Sequence, residues 1–230
     1  MTKISIIIPM LNEAETINNL LNHVLNNSSP ENISELIVVD GGSTDGSQDI
    51  VSKLDLVLLL NSEKGRAKQM NLGAIKATGE ILYFLHADSF PPKNFDQLII
   101  SEVEKENLAG SFRMQFDSNH WWLRLASWLT QFRWRACRGG DQSQFITKDL
   151  FNAIGGFNES YTIYEDNILI NELYTRNEFV VIQEKIKTSA RLYKKHGVWK
   201  LQYHFWTIYI KKWFGASADE LFLYYKKHIN

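Results

Sequence analysis

One cysteine, four prolines and no apolar run approaching a membrane span exclude several classes of protein at once. Cys137 alone cannot form an internal disulfide, which fits a reducing compartment. A bilayer needs about 20 consecutive apolar residues, and no stretch comes close. Met1-Thr2-Lys3 leads straight into an apolar run, so no secretory leader is expected and the expected compartment is the cytoplasm. No Gly-, Ser- or Pro-rich linker interrupts the 230 residues and no internal repeat is present, which predicts one continuous domain. Two nucleotide signatures are also missing. No Gly-x-Gly-x-x-Gly follows the first apolar run and no Gly-Lys-Ser/Thr occurs, which argues against a dinucleotide fold and against a P-loop. Tryptophan is absent from the first 120 residues, and all seven lie beyond.

The residues present instead mark strand ends. Ile4-Ser5-Ile6-Ile7-Ile8 runs into Pro9-Met10-Leu11-Asn12-Glu13, Leu36-Ile37-Val38-Val39 into Asp40-Gly41-Gly42-Ser43-Thr44-Asp45-Gly46, and Ile81-Leu82-Tyr83-Phe84-Leu85 into His86-Ala87-Asp88. Short β-branched runs of this kind read as strands buried on both faces of a parallel sheet. Such sheets bind ligands outside the carboxyl ends of their strands. Between the runs, Ile17, Leu20, Leu21, Val24 and Leu25 follow a one-face helical spacing. A short helix through Val51, a strand over 56–60, a helix over 66–77 closed by Gly79 and a helical face at Phe95, Leu98, Ile99 and Val103 continue the alternation. The expected fold class is α/β, a mostly parallel central sheet flanked by helices. The second half predicts strands at 109–116, 143–146, 179–182 and 188–193. It also predicts helices at 121–134 and 164–176, and two final helices in an aromatic-rich C-terminal elaboration.

Each strand end carries chemistry. The flexible Gly41-Gly42 turn lets a planar ligand approach Asp40, whose carboxylate can accept from an imide N–H such as that of uracil; alternatively, Asp40 and Asp45 cap the next helix. In an extended segment His86 and Asp88 would face the same way. Asp is a hard oxygen ligand for Mg²⁺ or Mn²⁺, ions that bridge to substrate phosphates. Glu165-Asp166 opens a helix, where the helix dipole and a neighbouring cation would favour an ionised general base.

Taken in order, Pro-x-x-Asn-Glu, Val-Val-Asp-Gly-Gly-Ser-Thr-Asp-Gly, Gly-Arg-Ala…Asn-x-Gly-Ala, a strand ending in an x-Asp motif, Gly-Gly-Phe and Glu-Asp resemble the family 2 glycosyltransferases, over essentially the whole chain. With Phe-Leu-His-Ala-Asp, Gly-Gly-Asp-Gln and Ser-Ala-Arg…His-Gly-Val-Trp the set is similar to a bacterial subfamily named for arsenosugar biosynthesis. The resemblance implies the GT-A fold of nucleotide-diphospho-sugar transferases, with a nucleotide-binding half over 1–106 and an acceptor half with the C-terminal helices over 107–230. It implies that Pro9, Glu13, Asp40 and Arg66 bind the nucleotide of the sugar donor, that Asp88 is the principal metal ligand with His196 completing the site, and that Asp166 deprotonates the acceptor hydroxyl beside Glu165. His86 stands where the family usually has Asp; an imidazole ligand tilts preference toward Mn²⁺ over Mg²⁺. The expected activity is an inverting hexosyl transfer from a nucleotide-sugar donor, a UDP-sugar, to a small-molecule or lipid acceptor. The alternatives are a nucleotidyltransferase, which would need a Gly-rich triphosphate loop after the first strand, and an inactive transferase-like module docking at a membrane.

Charge is unevenly spread. Residues 185–230 carry ten Lys/Arg against two acidic residues, leaving 15 basic and 24 acidic elsewhere. A basic tail on an acidic body suits a phosphate-bearing ligand or the inner face of a membrane, and nothing resembles a nucleic-acid motif. Trp199, Trp206 and Trp213 recur every seven residues along one helix side, and Trp121, Trp122, Trp128 and Trp134 sit among Arg124, Arg133, Arg135 and Arg138. These helices either pack on each other or offer a membrane-facing aromatic-basic surface.

Overall fold

The computed structural model describes residues 2–229. β-branched residues crowd the first strand, β1 (Ile4–Met10), and all seven of its residues are buried. It is followed by α1 (Ile17–Asn27), β2 (Ile33–Asp40), the short α2 (Ser47–Val51), β3 (Val57–Asn61), α3 (Arg66–Lys76) and β4 (Ile81–Phe84). These four strands are parallel, in the order β3-β2-β1-β4. Because the chain winds outward in both directions from β1, the crevice beyond the ends of β1 and β4 is a topological switch point, where sheets of this kind bind ligands.

The chain continues through β5 (Ser89–Phe90), α4 (Phe95–Glu104), β6 (Ala109–Phe116), α5 (Trp121–Leu129), β7 (Gln144–Thr147), α6 (Lys148–Ile154), α7 (Glu165–Thr175), β8 (Val180–Thr188), α8 (Arg191–His196), α9 (Val198–Trp213) and α10 (Ala218–His228). β7 runs antiparallel to β4 and to β6, while β8 is parallel to β6 and antiparallel to β5. One eight-stranded sheet, β3-β2-β1-β4-β7-β6-β8-β5, therefore spans both halves.

The strand period of two divides the core. Ile4, Ile6, Ile8 and Met10 face α1 and α4, packing with Leu20, Val24, Phe95 and Ile99. Ile7, with Ile37 and Val39, faces α3 and α7, packing with Met70, Ala74, Leu169 and Leu173. α3 lies so close to β1 that a Cβ on Gly73 would fall 2.5 Å from Ile7 Cγ2.

Four local expectations are corrected. α5 stops at Leu129, because Thr130 turns back to bond Ser127 and residues 135–137 form a separate 3₁₀ turn. The strand expected at 179–182 is the start of the longer β8, whose register slips by two residues between Ile182 and Lys185. Of the strand expected at 188–193 only Thr188 belongs to β8, and residues 191–193 are helical because α8 begins at Arg191. Three helices, not two, finish the described chain, since Gly197 (φ 83°) breaks α8 from α9. β4 ends at Phe84, and residues 86–88 form a tight turn closed by the Ser89 N–H donating to the His86 carbonyl at 3.1 Å, so alternation along an extended strand does not position His86 and Asp88.

Candidate active site

The loops after β1 and β2 clasp each other. The Asn12 N–H donates to Ser43 Oγ at 2.8 Å, and Asn12 Oδ1 accepts from the Thr44 N–H at 2.9 Å. The Glu13 N–H donates to Ser47 Oγ at 2.9 Å and the Ala14 N–H to Asp45 Oδ2 at 2.9 Å. Asn12 adopts a left-handed φ of 54°, a conformation Asn tolerates better than most residues, and this turns both its amide and its side chain onto the second loop. Behind the clasp, buried Gln69 of α3 donates to the carbonyls of Met10 and Val39, tying the ends of the two strands together.

Asp40 is 1 % exposed at the tip of β2. Its Oδ2 accepts from the Gly42 and Ser43 N–H groups, each at 2.9 Å, and from Gln48 Nε2 at 2.6 Å; its Oδ1 accepts only from Ser43 Oγ. Burial raises its pKa, but these donors outweigh burial and the net shift is downward. Asp40 therefore closes its own turn through Oδ2 and does not cap α2, whose start carries no side-chain cap, while Oδ1 keeps acceptor capacity for a ligand. Pro9 is buried within β1, opposite Val39 in the register.

Glu13 is held from the far end of the chain. Arg191 Nη1 donates to Glu13 Oε2 at 2.7 Å and Nη2 to Oε1, while Arg191 Nε lies 3.4 Å from Asp88 Oδ2. One guanidinium therefore joins the carboxylates that follow β1 and β4.

A second guanidinium organises the deeper carboxylates. Arg66, first residue of α3, donates through Nε to Glu165, and its Nη2 lies 3.7 Å from Asp166 Oδ2. Glu165 and Asp166 both open α7, preceded by Tyr164 at a strained φ of 74° that turns the chain into the cleft. Burial pushes the pKa values of both upward, with Arg66 opposing. The expectation that helix dipole and cation would favour ionisation is corrected, because the removal of water around these groups is the larger effect. Gly140 touches this cluster so closely that a Cβ there would stand 2.6 Å from Asp166 Cγ and 3.1 Å from His86 Cε1.

His86 and Asp141 complete the arrangement. Burial and then Arg66 lower the His86 pKa to about 3, against Asp88 and Glu13, so the ring is neutral and its 3.9 Å approach to Asp141 Oδ1 is not an ion pair. The Asp141 side chain opens to solvent on one side, 60 % exposed, yet the surrounding cleft wall and the Asp88 and Asp166 charges, opposed by Arg66, push its pKa up to about 6. A neutral imidazole beside two crowded carboxylates is a donor set that suits a divalent cation, which would relieve their mutual repulsion. Among the described residues, however, no three His, Cys, Asp or Glu side chains already converge on one point. His196, the last residue of α8, keeps a buried Nε2 without a partner among the described residues. No described hydrogen bond or ion pair joins it to His86 or Asp88.

Spacing alone does not mark Arg191, Gly140 and Asp141 as site residues. Their signal was their place in Ser189-Ala190-Arg191 and Gly139-Gly140-Asp141-Gln142, late motifs of no recognisable chemistry on their own. The C-terminal helices also bring Tyr193 and Tyr225 into the field of Asp141, their phenols raised in pKa first by burial. The two Trp segments pack on each other: Trp122 Nε1 donates to Gln202 Oε1 at 3.0 Å, and the Trp122 ring lies tilted against Trp199 and edge-on to Trp206, at 5.4 and 5.8 Å between centroids.

With this geometry in place, comparison with known proteins is direct. The family model described as glycosyl transferase family 2 matches residues 5–158. The chain is 32 % identical over 106 residues to the glycosyltransferase AglE of Haloferax volcanii, covering 44 % of this chain and 35 % of that one. It spans only about a third of the length of the curated relatives it matches first. Among solved structures it is similar to TarS of S. aureus in complex with UDP (20 % identity, TM-score 0.66), with 82 % of this chain and 60 % of that chain covered. It is also similar to the mannosyltransferase PcManGT of Pyrobaculum calidifontis in complex with GDP-Man and Mn²⁺ (20 % identity, TM-score 0.68), with 90 % and 60 % covered. The architecture is the GT-A fold of these structures.

Proposed function

This chain belongs to glycosyl transferase family 2, and we propose that it is an inverting glycosyltransferase that moves a sugar from a UDP-sugar to an acceptor hydroxyl. The observation that carries the reading is the pairing, at one switch point, of a clasped carboxylate lip with a buried carboxylate base. Asp40 and Glu13 form the lip, and Asp166, raised in pKa, is the base. TarS with UDP and PcManGT with GDP-Man support a nucleotide-sugar donor.

On this reading Asp40 Oδ1 accepts the imide N–H of the base, Pro9 walls the base, and Glu13, oriented by Arg191, faces the ribose. Arg66, which fixes Glu165 and lies beside Asp166, also faces the base or diphosphate of the donor. Asp166 removes the proton from the acceptor hydroxyl as that oxygen attacks the anomeric carbon from the side opposite the leaving diphosphate, which inverts the configuration. A carboxylate raised by burial is a stronger base than one in water, so burial serves the step. Asp88, His86 and Asp141 would hold a Mn²⁺ or Mg²⁺ ion, with His196 outside the described contacts of that set. Such an ion, when bound, neutralises the leaving diphosphate. PcManGT with Mn²⁺ supports the metal. The acceptor side is assigned to residues 107–230.

No described helix is long and apolar enough to cross a membrane. Peripheral contact with the inner membrane face through the Trp-rich helices belongs to the same reading, supported by exposed Trp121, Trp199 and Trp213 beside the basic tail.

Nucleotide release, measured across UDP- and GDP-sugars with and without Mn²⁺, tests the proposal. The expected result is release from one UDP-sugar, stimulated by Mn²⁺ and lost in Asp166→Asn. Release from GDP-sugars alone would overturn the UDP assignment. Full activity after treatment with EDTA would overturn the metal, leaving Arg66 and Arg191 as the available counter-charges.

A further inference from the structure

A groove between α5 and β6 takes no part in the chemistry above. Its volume is about 740 Å³, within the range of small-molecule pockets. β6 pairs with β7 only at Ala109 and Gly110, so beyond those residues one strand edge lacks a partner strand. Hydroxyls from α5 and its C-terminal cap cover part of it: the Met114 N–H donates to Thr130 Oγ1 at 3.0 Å and the Phe116 N–H to Ser127 Oγ at 3.1 Å. The groove lies alongside these tethers.

Three cations from three elements line it: Arg113 on β6, Lys185 on β8 and Arg124 on α5. Arg113 and Lys185 are direct cross-strand partners, meeting where the register of β8 slips. Like charges placed directly opposite each other destabilise a strand pair. Among the described residues none of the three makes an ion pair or a side-chain hydrogen bond, and no Asp or Glu lines the groove. Arg113 Nε is buried with no partner, a condition that costs free energy unless a ligand relieves it. The α5 wall is apolar and open to solvent. Trp121, Leu125 and Trp128 fall at i, i+4 and i+7 on one helix face and are 60, 38 and 51 % exposed.

We propose that this groove seats the anionic headgroup of a membrane lipid, its phosphate on Arg113, Lys185 and Arg124 and its apolar part against Trp121, Leu125 and Trp128. The cations alone would serve any small anion. Three large apolar side chains left in water beside them select an amphiphile, and Trp with Lys and Arg is the composition that a bilayer interface favours. Trp121 also packs 5.7 Å from Trp199, which joins the groove to the exposed aromatic side of α9. The inference gives the proposed peripheral contact a site and a headgroup chemistry, and it is independent of sugar transfer, because lipid binding is measured without a donor.

The test is co-sedimentation of the full chain with vesicles of phosphatidylcholine alone and of phosphatidylcholine mixed with phosphatidylglycerol. Binding is expected only with the anionic lipid, and it should fall by roughly tenfold or more in the double variant Arg113→Gln, Lys185→Gln. Lys185→Glu separates the site from the fold: it places an opposite charge across from Arg113, so its melting temperature should equal or exceed that of the wild type while vesicle binding is lost. UDP affinity should not change in either variant. Equal binding to both kinds of vesicle, or wild-type binding by Lys185→Glu, would overturn the proposal. Displacement of the vesicles by soluble glycerol phosphate at the same phosphate concentration would also overturn it, assigning the groove to a free anion.

Discussion

Glu13 and Arg191, 178 residues apart in sequence, meet through two hydrogen bonds between guanidinium and carboxylate, and the same guanidinium reaches toward Asp88. The contact ties the first strand end of the sheet to the first turn of α8. It also places one positive charge against two carboxylates, Glu13 and Asp88.

Arg191→Ala should therefore weaken UDP binding by about 1–3 kcal/mol, the range for losing charge-assisted hydrogen bonds that orient a group. Arg191→Lys should recover little of it, because an ammonium cannot reproduce the two-pronged geometry. Calorimetric titration with UDP checks both variants. An affinity equal to wild type in Arg191→Ala would reduce the pair to a structural strap.

Asp40→Asn should damage two things at once. The amide would present a donor or a weaker acceptor to the Gly42 and Ser43 N–H groups, loosening the loop, and would lose the charged bond offered to a uracil imide. UDP binding should fall by about 1–3 kcal/mol together with a lower melting temperature. A lower melting temperature with unchanged UDP affinity would leave Asp40 as a loop residue only.

Asp166→Asn should retain UDP binding and lose turnover by about 10²–10⁴-fold, as expected for a missing general base. Because burial raises the Asp166 pKa and only its ionised form can accept the proton, the acid limb of the wild-type turnover profile should lie above the ordinary carboxylate range. Gly140→Ala should reproduce much of the turnover loss with no chemical change to Asp166, since the added Cβ occupies space next to the Asp166 carboxyl. Normal turnover in Gly140→Ala would show that the carboxylate can move without consequence, which is incompatible with a positioned base.

A structural carboxylate gives a separate pH test. Glu35 accepts from Ser5 Oγ, from the Thr78 N–H at 2.9 Å and from Thr78 Oγ1. Burial raises its pKa, but these bonds outweigh burial and the net shift is below its ordinary value of 4.5. A depressed pKa means that its contribution to stability is full above the unfolded value and is lost as pH falls through the folded one. The stability difference between wild type and Glu35→Gln should be constant near neutrality and shrink below about pH 4.5. Denaturant titrations at several pH values measure it.

The chain's own pattern was enough for the parallel strands and for the residues at their ends. β1, β2 and β4 are runs of β-branched and aromatic residues, and burial on both faces follows from that composition alone. Since ligands bind at such strand ends, Glu13, Asp40, His86 and Asp88 were legible as candidates before any contact was known. The second half was harder to read. The local pattern makes α5 five residues too long, stops the strand that begins near 180 too early and places a strand where α8 begins, because Thr130 back-bonding and the register of β8 on β6 depend on what lies across the strand edge. Tertiary structure alone decided that Arg191 grips Glu13, that Arg66 pairs with Glu165 beside Asp166, and that Gly140 and Asp141 enter the cleft. It also set the direction of the Asp166 pKa. The helix start and the nearby cation can be read locally, but the loss of water that outweighs them comes from segments distant in sequence closing over the group. Periodicity records which side of an element is apolar; which charges meet across the cleft depends on contacts between residues far apart in the chain, and no local pattern encodes those.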